Sequence, residues 1–198
     1  MRYAFLALVL GSLSFVALAS PAPKAPAAPA AAESFAIDPV HSNVLFKVMH
    51  NNAAWFYGRF AELGGSFEYS DDPSKCSLEV DVRAESVDSR NDKLDQHLRS
   101  PDFFDSKQFP SIRFASKKVE AAGDGMYAVT GDLSLRGVTK EITIEVEKVG
   151  EGQGRGGKVL GFHTAFTIDR TDFGVNYGAG GGLGSQVELI VSIEAVQN

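Results

Sequence analysis

One cysteine in 198 residues, Cys76, leaves no partner for an internal disulfide, so any fold here must hold by its apolar core. Four histidines, His41, His50, His97 and His163, are the whole supply. None stands in a His-x-His or His-Glu-x-x-His arrangement and no cysteine lies near them, so the spacing of a metal site is missing. No Gly-x-Ser-x-Gly elbow offers a serine nucleophile. A basic excess is absent as well. The 19 Lys and Arg stand against 25 Asp and Glu for a net charge of −6, which argues against a nucleic-acid partner. Glycine does form a suggestive run, "VNYGAGGGLGSQ" at 175–186. A phosphate cradle needs a helix directly after it, and a strand pattern follows instead, so the run reads as a flexible loop, with the lining of a pocket mouth as the alternative.

Long apolar runs are missing too, except at the start. "MRYAFLALVLGSLSFVALAS" opens with Arg2, is apolar from about Ala4 to Leu18, and ends on the small residues of Ala17-Leu18-Ala19. That is the pattern of a cleaved signal peptide over 1–19, and it is shorter than the roughly 20 residues a membrane-spanning helix needs. Residues 20–33, "SPAPKAPAAPAAAE", carry four prolines and no large apolar side chain, and read as an extended tether. The expectation is an exported protein with one folded domain over 34–198.

From Phe35 onward the sequence alternates. "SLEVDVRA" puts Leu78, Val80 and Val82 on one face and Glu79, Asp81 and Arg83 on the other. "EITIEVEK" does the same with Ile142, Ile144 and Val146, "MYAVTGDLSLRG" with Tyr127, Val129, Leu133 and Leu135, and "QVELIVSIEAV" with Val187, Leu189, Val191 and Ile193. One wet face per strand marks an antiparallel sheet. About eight such segments lie near 35–50, 57–70, 76–87, 111–121, 125–136, 140–149, 158–170 and 185–196. Turns rich in Asp, Gly and Pro separate several of them. This predicts an all-β fold, either a sandwich or a closed barrel. A barrel of about eight strands is filled by side chains or holds one small ligand.

The one helical patch is "SRNDKLDQHLRS", 89–100, with Leu94 and Leu98 four apart and Ser89 placed to cap it. "PDFFDSKQFPSIRF" follows at once. A short helix and an aromatic loop therefore join the third and fourth strands, and loops that long usually serve a function or cover something. Few polar side chains interrupt the apolar phases. His50 shares the phase of Val44, Phe46 and Val48, and His163 that of Val159 and Ala165, with Phe162 and Phe166 opposite. Arg59 stands among aromatics in "FYGRFAEL". Each fits a satisfied core or rim residue; together they also fit the few polar groups that fix a head group in an apolar cavity.

"IDPVHSNVLFKVMH", "YGRFAELGGSFEY", "HLRSPDFFDSKQFPSIRFASKKV", "YAVTGDLSLRGVTKEITIEVE", "GFHTAFTIDRTDFGVNY" and "VELIVSIEAV" occur in that order between about Phe35 and Val196. Together they resemble the YceI family. The resemblance implies an eight-stranded, lipocalin-like antiparallel barrel, exported to the periplasm. Its cavity would hold an isoprenoid lipid, such as a polyprenyl chain or isoprenoid quinone, or another long-chain amphiphile. No catalytic residue, no metal and no cofactor beyond that bound lipid are implied. A homodimer and a transient membrane contact for lipid exchange are compatible with it.

Position by position, the resemblance points to Asp38, His41, His50, Arg59, Asp169 and Arg170 as polar ligand contacts. It points to Phe103, Phe104, Phe109 and Phe114 as an aromatic wall. Phe46 and His163, from the strand phases, and Trp55 and Phe56 complete the candidate set. The last two stand in "NNAAWFYG", where similar proteins carry a smaller loop, so a bulkier lip is expected there. The helix and the Phe loop would then close or line the cavity. Two alternatives stay open: phenylalanines that plug a barrel used for protein contacts, or an enzyme that processes a bound isoprenoid with His50 or His163 as base.

Overall fold

The computed structural model describes residues 31–198. The signal peptide expected at 1–19 and the tether as far as residue 30 lie outside the described residues. Glu33, at the end of the expected tether, is already part of the first strand, paired with Tyr69.

The described residues form one antiparallel sheet. Its strands are β1 (Glu33–Ile37), β2 (Asn43–His50), β3 (Ala54–Phe60), β4 (Leu63–Tyr69), β5 (Ser77–Arg83) and β6 (Val87–Asp88). After a helix, α1 (Asp92–Leu98), come β7 (Ser111–Gly123), β8 (Met126–Leu135), β9 (Val138–Gly154), β10 (Gly157–Asp169) and β11 (Gln186–Gln197). The eight alternating segments are all present, because three of them are bent: 35–50 holds β1 and β2, 57–70 covers β3 and β4, and 76–87 covers β5 and β6. The order β1-β4-β5-β7-β8-β9-β10-β11, closed by β11 onto β1, is an eight-stranded barrel. The long strand β11 gives Ala195–Gln197 to β1 and Val187–Ser192 to β2, so β2, β3 and β6 continue the wall beyond the closed ring.

Each bend is stitched by hydrogen bonds. At the β1–β2 corner the Asp38 N–H donates to the Glu194 carbonyl at 2.8 Å, and the Ser42 hydroxyl accepts the Glu194 N–H at 3.0 Å. At the β3–β4 corner the Ala61 N–H donates to the Ser86 carbonyl and the Glu62 N–H to the Ser86 hydroxyl, both at 3.0 Å. Two hairpins reverse on left-handed dipeptides, Asp124-Gly125 and Arg136-Gly137, the turn geometry that matches strand twist. The in-phase residues point inward, and Phe35, Phe67, Val129, Leu133, Ile144, Leu160 and Ile193 are buried. Each such side chain stabilises the fold by about 1.5–3 kcal/mol.

The bends leave an opening between β6 and β7. Strand β6 pairs with β3, and β7 pairs with β5 and β8, so no ladder joins β6 to β7. Helix α1 and the loop 99–110 lie between these two strands in the chain. The helix is shorter than the expected 89–100, and its N-cap is Asn91, whose side chain accepts the Leu94 N–H. Ser89 fails as the cap because Arg90 takes a left-handed backbone, φ 64°, which stops the helix from extending back. Ser89 instead donates its N–H to the buried Asp95 carboxylate at 2.7 Å. The loop is anchored on the barrel by its rings. Phe104 meets Phe60 edge to face at 5.3 Å, and Phe109 lies on Gly137, where a Cβ would sit 2.5 Å from the ring.

Candidate functional site

The inward phases do not fill the barrel. They leave a cavity of about 690 Å³ whose surface is overwhelmingly apolar, supplied by all the long strands and by α1 and the Phe loop. Glycines help to keep it open. Gly58 faces Phe46 and Gly131 faces Phe114, and a Cβ at either site would lie within 2.3 and 2.8 Å of the ring. Both rings therefore lie against the wall over a glycine.

Polar groups gather at the two ends. At the loop end, Asn51, His50, Tyr177, Gly178 and Gly181 border the cavity, and most of them are exposed. His97 stands beside them, its ring edge-on to Phe103 and Tyr177 at 5.0 and 4.8 Å, with Nε2 2.9 Å from the Asp102 carboxylate. At the opposite end, Tyr69 and Tyr127 line the cavity with hydroxyls 3.2 Å apart, and the Lys148 ammonium donates to Tyr69 at 3.1 Å. Burial of Lys148 works against its charge, but hydrogen bonds to Glu151 and Tyr69 outweigh it and hold its pKa at about 12. Burial, then the bond to Tyr69, pushes Tyr127 up to about 12. Cys76 lies near this end, its thiol bonded to the Ser70 carbonyl at 3.3 Å and its pKa raised by burial.

Of the fourteen candidate residues, Phe46, His50, Phe56, Phe103, Phe104, Phe114, His163 and Arg170 line the cavity. His50 keeps the inward phase but ends its strand, so it sits exposed at the rim. His163 lies out of phase with its inward neighbours Phe162 and Thr164. It reaches the cavity where β9 and β10 part, since it is the last β10 residue paired with β9. Arg170 is buried and spends its guanidinium on the loop 174–185, donating to the carbonyls of Val175 (2.6 Å), Gly184 (2.7 Å) and Leu183 (3.1 Å).

The other six lie outside the wall. Asp38 accepts from His41 Nδ1 at 2.8 Å and from the Val40 N–H at 2.8 Å, bracing the β1–β2 corner on the outer surface. Glu194 lies 3.8 Å from the same His41 nitrogen. These three are the one group among the described residues whose ligand atoms lie close enough together for a metal ion. Arg59 pairs with Asp88 at 2.8 Å across β3 and β6. Trp55 is in the outward phase of β3 under the Lys47 ammonium, and Phe109 is taken up by Gly137. Asp169 caps the turn after β10, accepting from Thr171, Ser185 and Gln186, and its pKa falls because Thr171 bonds its carboxylate.

Sequence reasoning missed the tyrosine pair, His97 and Tyr177. Tyr127 did stand in the inward phase of β8, but the phase shows only an apolar ring and not where its hydroxyl ends.

Residues 35–195 match the family described as YceI-like domain. Protein YceI of Escherichia coli is 36% identical over 159 residues, which span 79% of this chain and 82% of that protein. Among solved structures, Burkholderia cenocepacia BcnA superposes with a TM-score of 0.73 at 21% identity, over 81% of this chain and 99% of that one. A polyisoprenoid binding domain from Saccharophagus degradans superposes with a TM-score of 0.66 at 13% identity, over 84% and 99%. Both structures share the fold.

Proposed function

Because the chain belongs to the YceI-like domain family, we propose that its barrel carries one long-chain isoprenoid lipid, a polyprenyl chain or an isoprenoid quinone, in the periplasm. The observation that carries this is the cavity: about 690 Å³, lined mainly by the apolar phases of the strands, with few polar groups among them. Such a volume lies within the ordinary range for small-molecule sites. The polyisoprenoid binding described for the Saccharophagus degradans domain supports the ligand class.

Magnitudes agree. Burying about 400 Å² of isoprenoid tail is worth roughly 10 kcal/mol. Association and ordering remove about 4–10 kcal/mol, which leaves micromolar or somewhat tighter binding. Phe46, Phe56, Phe104 and Phe114 would hold the tail. The lipid would enter at the loop end, where exposed Tyr177 and His50 border the cavity and a membrane can be approached.

Carriage needs no catalytic step. Neither His50 nor His163 has a carboxylate within hydrogen-bond reach among the described residues. His97 does, but the only thiol, Cys76, lies toward the other end of the cavity. The test is purification from periplasm, organic extraction and mass spectrometry of what accompanies the protein. A stoichiometric isoprenoid or quinone is expected. An empty protein that also fails to take up geranylgeraniol or a quinone would overturn the proposal.

A further inference from the structure

The end of the cavity away from the loops holds a proton that its own network does not use. Lys148 can only donate, and its ammonium is 3.1 Å from Tyr69 Oη and 2.9 Å from the Glu151 carboxylate. Tyr69 Oη and Tyr127 Oη are 3.2 Å apart. Two hydroxyls that share one bond use one proton between them, whichever donates. The second O–H remains, and both side chains line the cavity. The lysine accepts nothing, so it cannot take that proton. Its charge also polarises the pair, because a hydroxyl that accepts from a cation becomes a better donor to the next group.

We infer that the Tyr69–Tyr127 pair is a docking point for one neutral oxygen of the bound lipid, an alcohol, carbonyl or quinone oxygen, which accepts the unspent hydroxyl proton at the end of the cavity away from the loops. This rests on the lipid-carrier reading and adds the orientation: the oxygen lies at the tyrosine end, and the tail runs toward the loop end. Charge selects the neutral class. Lys148 is offset by Glu151, Lys158 is paired with Glu33 at 3.0 Å, and Glu68 borders the cavity nearby. A phosphate would meet no uncompensated cation there and would face a carboxylate. Because Tyr127 is pushed up to about 12, its hydroxyl keeps its proton at any ordinary pH.

The experiment compares three ligands, geranylgeraniol, the hydrocarbon of the same chain without the hydroxyl, and geranylgeranyl phosphate. Each is titrated against the native protein, Tyr127→Phe and the double variant Tyr69→Phe/Tyr127→Phe. The native protein should prefer the alcohol to both the hydrocarbon and the phosphate. In the double variant the alcohol should weaken about three- to tenfold while the hydrocarbon is unchanged, the loss of one hydrogen bond. In Tyr127→Phe, by contrast, the Tyr69 hydroxyl, relieved of its partner, can still donate to the alcohol. The double variant should bind alcohol and hydrocarbon alike. In 13Cζ-tyrosine spectra of the native protein, the alcohol should shift the Tyr69 and Tyr127 signals and the hydrocarbon should not. Equal weakening of both ligands would mark a packing effect and overturn the inference, as would no weakening of the alcohol in the double variant or tighter binding of the phosphate. A native protein that binds none of the three sinks the carrier reading itself, and this inference with it.

Discussion

At the scale of single residues, His41 shows how a side chain expected to touch a ligand can have a different task. The Asp38 carboxylate bonds its ring, and with Glu194 beyond it the His41 pKa is raised above the ordinary 6.5. The same bond holds Asp38 below its ordinary 3.8. The charged corner is therefore fully present below about pH 6.5 and above about pH 3.8, is lost on the alkaline side as pH rises through the raised His41 value, and is lost on the acid side as pH falls through the lowered Asp38 value. Proton NMR titration should find the His41 midpoint above 6.5, and Asp38→Asn should bring it back toward that value. A His41 midpoint that ignores Asp38→Asn would show that the bond does not persist in solution. This pair was legible only as a motif. Nothing in "DPVHS" shows whether the chain turns it toward the cavity or away, since the corner interrupts the alternation that sets inward from outward.

At the scale of elements, the answer to the aromatic insertion lies in the opening between β6 and β7. Alternation made the eight strand segments legible, because each has one buried face and the period is two. It could not show that three segments bend. The bends follow from long-range partners, such as Glu194 for the β1–β2 corner and Ser86 for the β3–β4 corner, which no local window contains. The helix and loop that follow β6 have no period-two signal, so their place had to come from structure. Arg136 ties them together: from the β8–β9 turn its guanidinium donates to the Pro101 carbonyl at 2.6 Å and to the Gly174 carbonyl. One side chain thus joins the Phe loop, the turn after β10 and a hairpin. Charged hydrogen bonds of this kind contribute about 1.5–3 kcal/mol. Arg136→Ala should lower unfolding free energy in urea by roughly that amount and speed release of a bound fluorescent lipid. Unchanged stability would mean that the rings alone hold the cover in place.

For the whole molecule, the long strand β11 is the feature with the widest reach. It pairs with β10 along one edge, and along the other with β1 and β2 in succession. It is also the last of the described strands in chain order. During synthesis the first ten strands emerge with both flanks of the future barrel unpaired, and neither can close before residues 186–197 are available. The slow, sequence-distant contacts come at the very end. Until those residues have been made, the growing chain is an open sheet rather than a shut container. Translation arrested before Gln186 should leave chains that resist protease no better than an unfolded polypeptide, whereas full-length chains should become resistant on release. Protease resistance in the arrested chains would mean that the remaining strands close without it.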